Sequence, residues 1–173
     1  LMEKRNNYFS WIIATWFGTG LLPIAPGTWG SLAAFPFAYI ISVNSGPYVL
    51  IIGTVALFFI GMQASNNVVK SAQKKDPGFI VVDEVVGQWI ALLPLPFLNH
   101  YVGPNLSFWF FAPIAVVAFL AFRIYDIWKP WPINYVDKNV PGGLGIMLDD
   151  VIAGIYALII TSAMAVVMSL YYI

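Results

Sequence analysis

Residues 29–43, 48–65, 85–98, 108–125 and 151–172 of this 173-residue chain are apolar runs, and the charge lies almost entirely in the connections between them. A helix that crosses a bilayer needs about 20 apolar residues, or about 17 at the low end. The pattern predicts an all-α integral membrane bundle of about five spans, in a single domain covering residues 1–173. The shorter runs must tilt, thin the bilayer or borrow flanking residues. Ahead of them, residues 8–17 are too short to cross. They are expected to form an interfacial or re-entrant helix, with Trp11 and Trp16 suited to the headgroup level. Composition agrees: 60% of residues are hydrophobic and 9% charged, against roughly 25% charged in soluble domains. So short a soluble domain cannot hide that much apolar surface. Glu3-Lys4-Arg5 leads into the first apolar run with no small-residue cleavage site, which argues against a removable signal peptide.

The basic residues fall in three places: Lys4 and Arg5, then Lys70, Lys74 and Lys75, then Arg123, Lys129 and Lys138. Basic loops stay cytoplasmic, and five spans with the N-terminus inside and the C-terminus outside put every one of them there. The carboxylates follow. Asp83-Glu84 opens the third span, Asp126 closes the fourth, Asp149-Asp150 opens the fifth, and Asp76 and Asp137 sit in cytoplasmic connections. Eight acidic residues balance eight basic ones, so there is no basic surface for nucleic acid, and nothing in the sequence points to a protein partner. Cysteine is absent and His100, in an outer loop, is the single histidine. Disulfides, thiolate metal sites, cysteine nucleophiles and a phosphohistidine mechanism are thereby excluded. No Asp-x-Asp pair offers an aspartyl nucleophile.

Two acidic pairs stand in matching contexts. Asp83-Glu84-Val85-Val86-Gly87-Gln88 echoes Asp149-Asp150-Val151-Ile152-Ala153-Gly154. Acidic residues in a first helical turn can simply cap it and complement the dipole. Two pairs at one membrane level, each with small residues a turn along that let helices approach closely, point instead to a cluster. Four carboxylates in a small volume need a cation, and oxygen ligands without His or Cys favour Mg²⁺, with Mn²⁺ possible.

Two further segments lie on the same side. From Gly18 to Ser31 six residues are Gly or Pro. Such a segment cannot form a continuous helix, and it places free backbone N–H groups with the Thr28 and Ser31 hydroxyls at the start of the first span. That arrangement suits phosphate, although a Gly/Pro-rich stretch alone is more often a plain turn. In Phe122-Arg123-Ile124-Tyr125-Asp126-Ile127-Trp128-Lys129-Pro130, the residues Arg123, Asp126 and Lys129 recur every three positions, on one helix face. They are either an interfacial girdle anchored by Trp128 and Trp131 or the positive charge that a phosphate ester requires.

These motifs, with Gly142-Gly143-Leu144-Gly145-Ile146-Met147-Leu148 leading into the second acidic pair, together resemble the bacterial phosphatidylglycerophosphatase A family across residues 18–158. The resemblance implies a Mg²⁺-dependent lipid phosphatase of the inner membrane, acting at the cytoplasmic face. Its substrate would be phosphatidylglycerophosphate, drawn from the surrounding membrane lipids, and its products phosphatidylglycerol and phosphate. It also implies an all-α bundle with one helix surrounded by others. In that reading Asp83, Glu84, Asp149 and Asp150 hold one or two Mg²⁺, and a metal-activated water attacks the phosphomonoester, with Glu84 and Asp149 catalytic. Arg123, Lys129, Thr28 and Ser31 hold the phosphate. Asp126 is a further ligand, the proton acceptor or a nucleophile. The alternatives are an ion-coupled transporter subunit, whose site belongs near the midplane, and a non-catalytic assembly factor. A topology reporter fused at Asn105 is expected to read periplasmic; a cytoplasmic reading would overturn the five-span arrangement.

Overall fold

The computed structural model describes residues 2–73, 77–101 and 108–172, so Lys74, Lys75, Asp76 and Asn105 lie outside the described residues. Every regular element among those described is helical. Helix α1 (Met2–Ala14) runs into a short 3₁₀ turn at Thr19–Leu21, after which come α2 (Pro26–Ser45) and α3 (Pro47–Ala72). Helices α4 (Val82–Leu92) and α5 (Pro94–Tyr101) follow, and then α6 (Phe108–Trp128), α7 (Ile133–Asn139) and α8 (Gly142–Tyr172). Pro26 and Pro47 open their helices, where a missing N–H leaves nothing unpaired.

Among the described residues, three helices are long and apolar enough to cross a membrane: Pro47–Ala72, Trp109–Trp128 and Gly142–Tyr171. Five such spans were expected. The third, residues 85–98, is instead two helices that meet at Leu93. Pro94 has no N–H to continue the ladder, and Leu93 turns back to bond the Ile90 carbonyl at 3.2 Å. Helix α2 contains Pro36 and falls outside the set of three. Both segments nevertheless run between the same two ends of the bundle as the long helices. At one end the Tyr48 and Tyr101 hydroxyls are 2.7 Å apart, tying the start of α3 to the end of α5. At the other, the Gly143 N–H donates to Asn66 Oδ1 at 2.7 Å, tying the end of α3 to the start of α8. The flanks of the long helices expose Ile52, Val55 and Phe59 on α3, Val116 and Leu120 on α6, and Ile159, Val166 and Val167 on α8. So many exposed large apolar side chains on the long helices suit lipid rather than water.

Helix α1 lies against α3, with Asn67 Nδ2 donating to Ser10 Oγ at 3.0 Å, while Tyr8, Phe9 and Ile12 are exposed. Trp11 stacks on Phe79 with ring centroids 4.8 Å apart. Trp16, expected at the headgroup level, is buried. The chain leaves the helix at Trp16 and Phe17 through positive φ angles of 45° and 56°, which turns the indole inward against Trp89 at 5.9 Å.

Helix α4 packs against α2, α3, α6 and α8, and its contact with α8 is backbone on backbone. A Cβ on Gly154 would lie 2.5 Å from the Gly87 carbonyl oxygen, and one on Gly87 would lie 2.3 Å from Phe122 and 2.7 Å from the Asp150 carbonyl oxygen. Gly154→Ala is therefore expected to destabilise by about 1–3 kcal/mol through overpacking, read as a lowered melting temperature in detergent. Gly53→Ala is the control. Its Cβ would meet only the Trp89 ring, at 3.7 Å, and should be neutral or stabilising by up to about 1 kcal/mol.

Candidate active site

Asp83 and Glu84 occupy the first turn of α4, where the helix dipole favours negative charge. Asp149 and Asp150 do not occupy a first turn. Helix α8 begins at Gly142, two turns earlier than the expected start of its span, because Asn66 of α3 accepts the Gly143 N–H and caps the new N-terminus. The dipole fades within the first turn, so helix capping gives no account of a carboxylate at position 150.

Crossing α4 over α8 at Gly87 and Gly154 brings Asp83, Glu84 and Asp150 together, each with a carboxylate oxygen within 4.8 Å of the others. Asp83 Oδ1, Glu84 Oε2 and Asp150 Oδ2 are buried with no hydrogen-bond partner. Asp83 and Glu84 lie outside the three long apolar helices. Burial pushes the Asp83 carboxyl well above the usual carboxylate range, and the charges of Glu84, Asp149 and Asp126 push the same way. Glu84 is raised to about 7, chiefly by burial, against a lowering pull from its contact with Asp83 and from the Arg123 charge. Unpartnered buried carboxylate oxygens are costly. A hard divalent cation is what such a set of oxygens satisfies, so the residues present fit the metal that the sequence implies.

The fourth expected ligand is placed differently. Asp149 Oδ2 accepts from Lys129 Nζ at 2.7 Å and its Oδ1 accepts the Asp150 N–H at 3.1 Å. Lys129 is the residue at which the chain leaves α6, with φ 47°, and it donates also to Asp137 Oδ1 at 2.8 Å. Burial pulls the Lys129 pKa down, but the hydrogen bonds and charges of Asp137 and Asp149 outweigh it and hold the ammonium above the ordinary lysine range. Arg123 donates through Nη1 to Asp126 one turn along α6, and its Nε is buried without a partner.

At the start of α2, Thr28 is half-buried. Ser31 is fully buried, and its hydroxyl donates to the Gly27 carbonyl at 2.8 Å, so its proton is committed within its own helix. Gly27 is the member of this segment that approaches the acids. A Cβ there would lie 2.1 Å from Glu84 Oε1 and 3.1 Å from Arg123 Nη1. In the sequence Gly27 is only one of the six Gly and Pro residues of its segment, and spacing alone gives it no role. Sequence reasoning likewise missed Asp137 as a partner of Lys129, and Gln88, which is fully buried one turn beyond Glu84. Gly27 carried a usable signal, a glycine directly after a helix-opening proline. Asp137 carried none, since its pairing crosses the turn made by α7.

The family model described as Phosphatidylglycerophosphatase A matches residues 12–165. The chain is 43% identical over 145 residues to the phosphatidylglycerophosphatase A of Escherichia coli K12, covering 83% of this chain and 76% of that protein. It is 39% identical over 152 residues to the phosphatidylglycerophosphatase A of Haemophilus influenzae, covering 88% and 86%. A Bacteroides thetaiotaomicron protein with the provisional description phosphatidylinositol-3-phosphatase is 38% identical over 162 residues, covering 91% and 94%. No solved structure matches the chain.

Removing one side of the Lys129–Asp149 pair strands a charge. Lys129→Met is expected to cost about 1.5–3 kcal/mol, the range for hydrogen bonds to charged groups. The double variant with Asp149→Asn should recover part of that loss, as measured by thermal unfolding of the two single variants and the double variant in detergent.

Proposed function

The chain belongs to the phosphatidylglycerophosphatase A family, and we propose that it hydrolyses phosphatidylglycerophosphate to phosphatidylglycerol and inorganic phosphate at the cytoplasmic face of the bacterial inner membrane. The observation that carries this reading is the trio Asp83, Glu84 and Asp150, whose buried oxygens lack partners and lie within 4.8 Å of one another. Those three residues would hold Mg²⁺ or Mn²⁺. Bound there, such an ion supplies Lewis-acid polarisation of the phosphoryl group and a water of lowered pKa.

The protein's own groups do the rest. The backbone N–H of Gly27, second residue of α2, and the Arg123 guanidinium border Glu84 and hold phosphoryl oxygens as charge develops on them. Thr28 adds its hydroxyl in the same turn. Arg123 fixes Asp126 through one oxygen, leaving the other to take the proton of the attacking water and pass it to the leaving alkoxide. The water oxygen joins phosphorus as the ester P–O bond breaks. Asp149, with both oxygens engaged, positions Asp150 through that residue's N–H, and Lys129 holds Asp149 in place.

Orientation follows from charge. Arg123 and Lys129 lie at the end of the bundle that carries the acids, and Lys70 closes α3 at that end, which by the positive-inside rule supports a cytoplasmic position for this end. The five segments that run between the two ends would then make five passes through the bilayer.

Phosphate release from phosphatidylglycerophosphate by the purified chain in detergent, with Mg²⁺ and with chelator, tests this reading. Glu84→Gln and Asp150→Asn should each lower kcat by about a hundredfold or more, the scale of losing a group that acts on transition-state charge. Absence of any Mg²⁺-dependent release from the wild type would overturn the proposal.

A further inference from the structure

Gln88 has no exposed surface, and neither its Oε1 nor its Nε2 has a hydrogen-bond partner. An amide buried that way is costly, and in native structures such groups are met by water, an ion or a ligand. Leucine at that position would fill a similar volume without the penalty, so the amide calls for a partner from outside the chain.

Its location says what that partner is. Gln88 follows Glu84 by four residues, which puts both on one face of α4 and places Gln88 about 6 Å further along the helix axis. Glu84 on that face meets Gly27 of α2 and Arg123 of α6. Beyond Gln88 the helix continues as Trp89-Ile90-Ala91-Leu92, where the Trp89 indole N–H is committed to the Ala34 carbonyl at 2.9 Å, so Gln88 carries the last unpartnered polar group on this helix. A lipid whose phosphomonoester meets the acids at the charged end must extend the rest of its headgroup in this same direction, toward its acyl chains.

We propose that Gln88 recognises the headgroup of the substrate. Its Oε1 accepts the hydroxyl on the three-carbon bridge between the two phosphates, and its Nε2 donates to a non-ester oxygen of the phosphodiester. This rests on the phosphatase reading above and adds to it the source of headgroup selectivity. A neutral amide suits the task. A carboxylate would repel the diester, and a lysine would pair with Glu84 one turn away. A site built to hydrogen-bond a hydroxyl rejects an analogue that lacks it, and a phosphomonoester attached directly to diacylglycerol has neither bridge nor diester.

The test compares full-length wild type with Gln88→Leu on phosphatidylglycerophosphate and on phosphatidic acid, the latter read as a substrate or as a competing ligand, alongside the melting temperature of each protein. Gln88→Leu should lower kcat/KM on phosphatidylglycerophosphate about tenfold to a hundredfold. The response to phosphatidic acid should stay within about twofold, and the melting temperature should hold or rise, since an apolar side chain replaces an unpaired amide. Equal losses on both lipids, no loss on either, or a lowered melting temperature would each overturn the headgroup role. If the wild type itself releases no phosphate from phosphatidylglycerophosphate, the phosphatase reading fails and takes this inference with it.

Discussion

Where α4 crosses α8, a Cβ on Gly154 would collide with the Gly87 carbonyl at 2.5 Å; the two backbones touch because neither residue has a side chain. Between helices in lipid there is no hydrophobic drive to associate, and close backbone packing supplies dispersion in its place. That contact fixes more than the fold. Asp150 lies four residues before Gly154, while Asp83 and Glu84 lie four and three residues before Gly87. Bringing the glycines together therefore sets the carboxylates side by side one turn nearer the charged end. Their mutual repulsion is opposed by packing at a point that has no charge at all. Phe122 closes over Gly87 from α6, so the neighbouring Arg123 is set against the same crossing.

The charges near this crossing do not balance. Among the described residues, Asp83, Glu84, Asp126, Asp137, Asp149 and Asp150 meet two paired cations: Arg123 with Asp126, and Lys129 with Asp137 and Asp149. The three carboxylates left over are the three whose buried oxygens find no partner. A phosphate dianion would be repelled by such a set on its own. The same excess becomes a binding site once a divalent cation lies between carboxylates and phosphate. In that arrangement the Arg123–Asp126 and Lys129–Asp149 pairs serve as struts. They hold Asp126 and Asp149 in single orientations and keep their charges from adding to the cluster.

Much of this was legible from residue types and spacing. The apolar runs located the helices, and the echo between the two acidic pairs located both the cluster and the small residues that make it. What escaped depended on contacts between segments far apart in sequence. The early start of α8 depends on Asn66, which caps it from another helix, and no local pattern announces that. The break at Pro94 was visible as a proline but was outweighed by an unbroken apolar run. Ser31 and Thr28 look alike on paper, yet Ser31 turns its hydroxyl back to the Gly27 carbonyl. Trp16 has the composition of an interfacial anchor. Its burial follows from a left-handed turn that a non-glycine residue rarely adopts and that sequence periodicity does not encode.

Along one face, α4 grades from charged to neutral polar to apolar: Asp83 and Glu84, then Gln88, then Ala91 and Leu92. A phospholipid bearing a terminal phosphomonoester grades the same way, from dianion through hydroxyl and diester to hydrocarbon. The match bears on the polar steps, since buried carboxylates and a buried amide without partners are costly until a counterpart meets them, whereas Ala91 and Leu92 are already packed in the core. It also bears on turnover. In the proposed reaction the released phosphate would stay with the cation held by the acids and leave to water, whereas the remaining lipid would have lost the group that held it there. Under the headgroup role proposed for Gln88, the diester and hydroxyl would then have a neutral amide as their partner on that face, a weaker hold than any charge would give. A helix that graded less steeply, with a cation in place of Gln88, would retain its product.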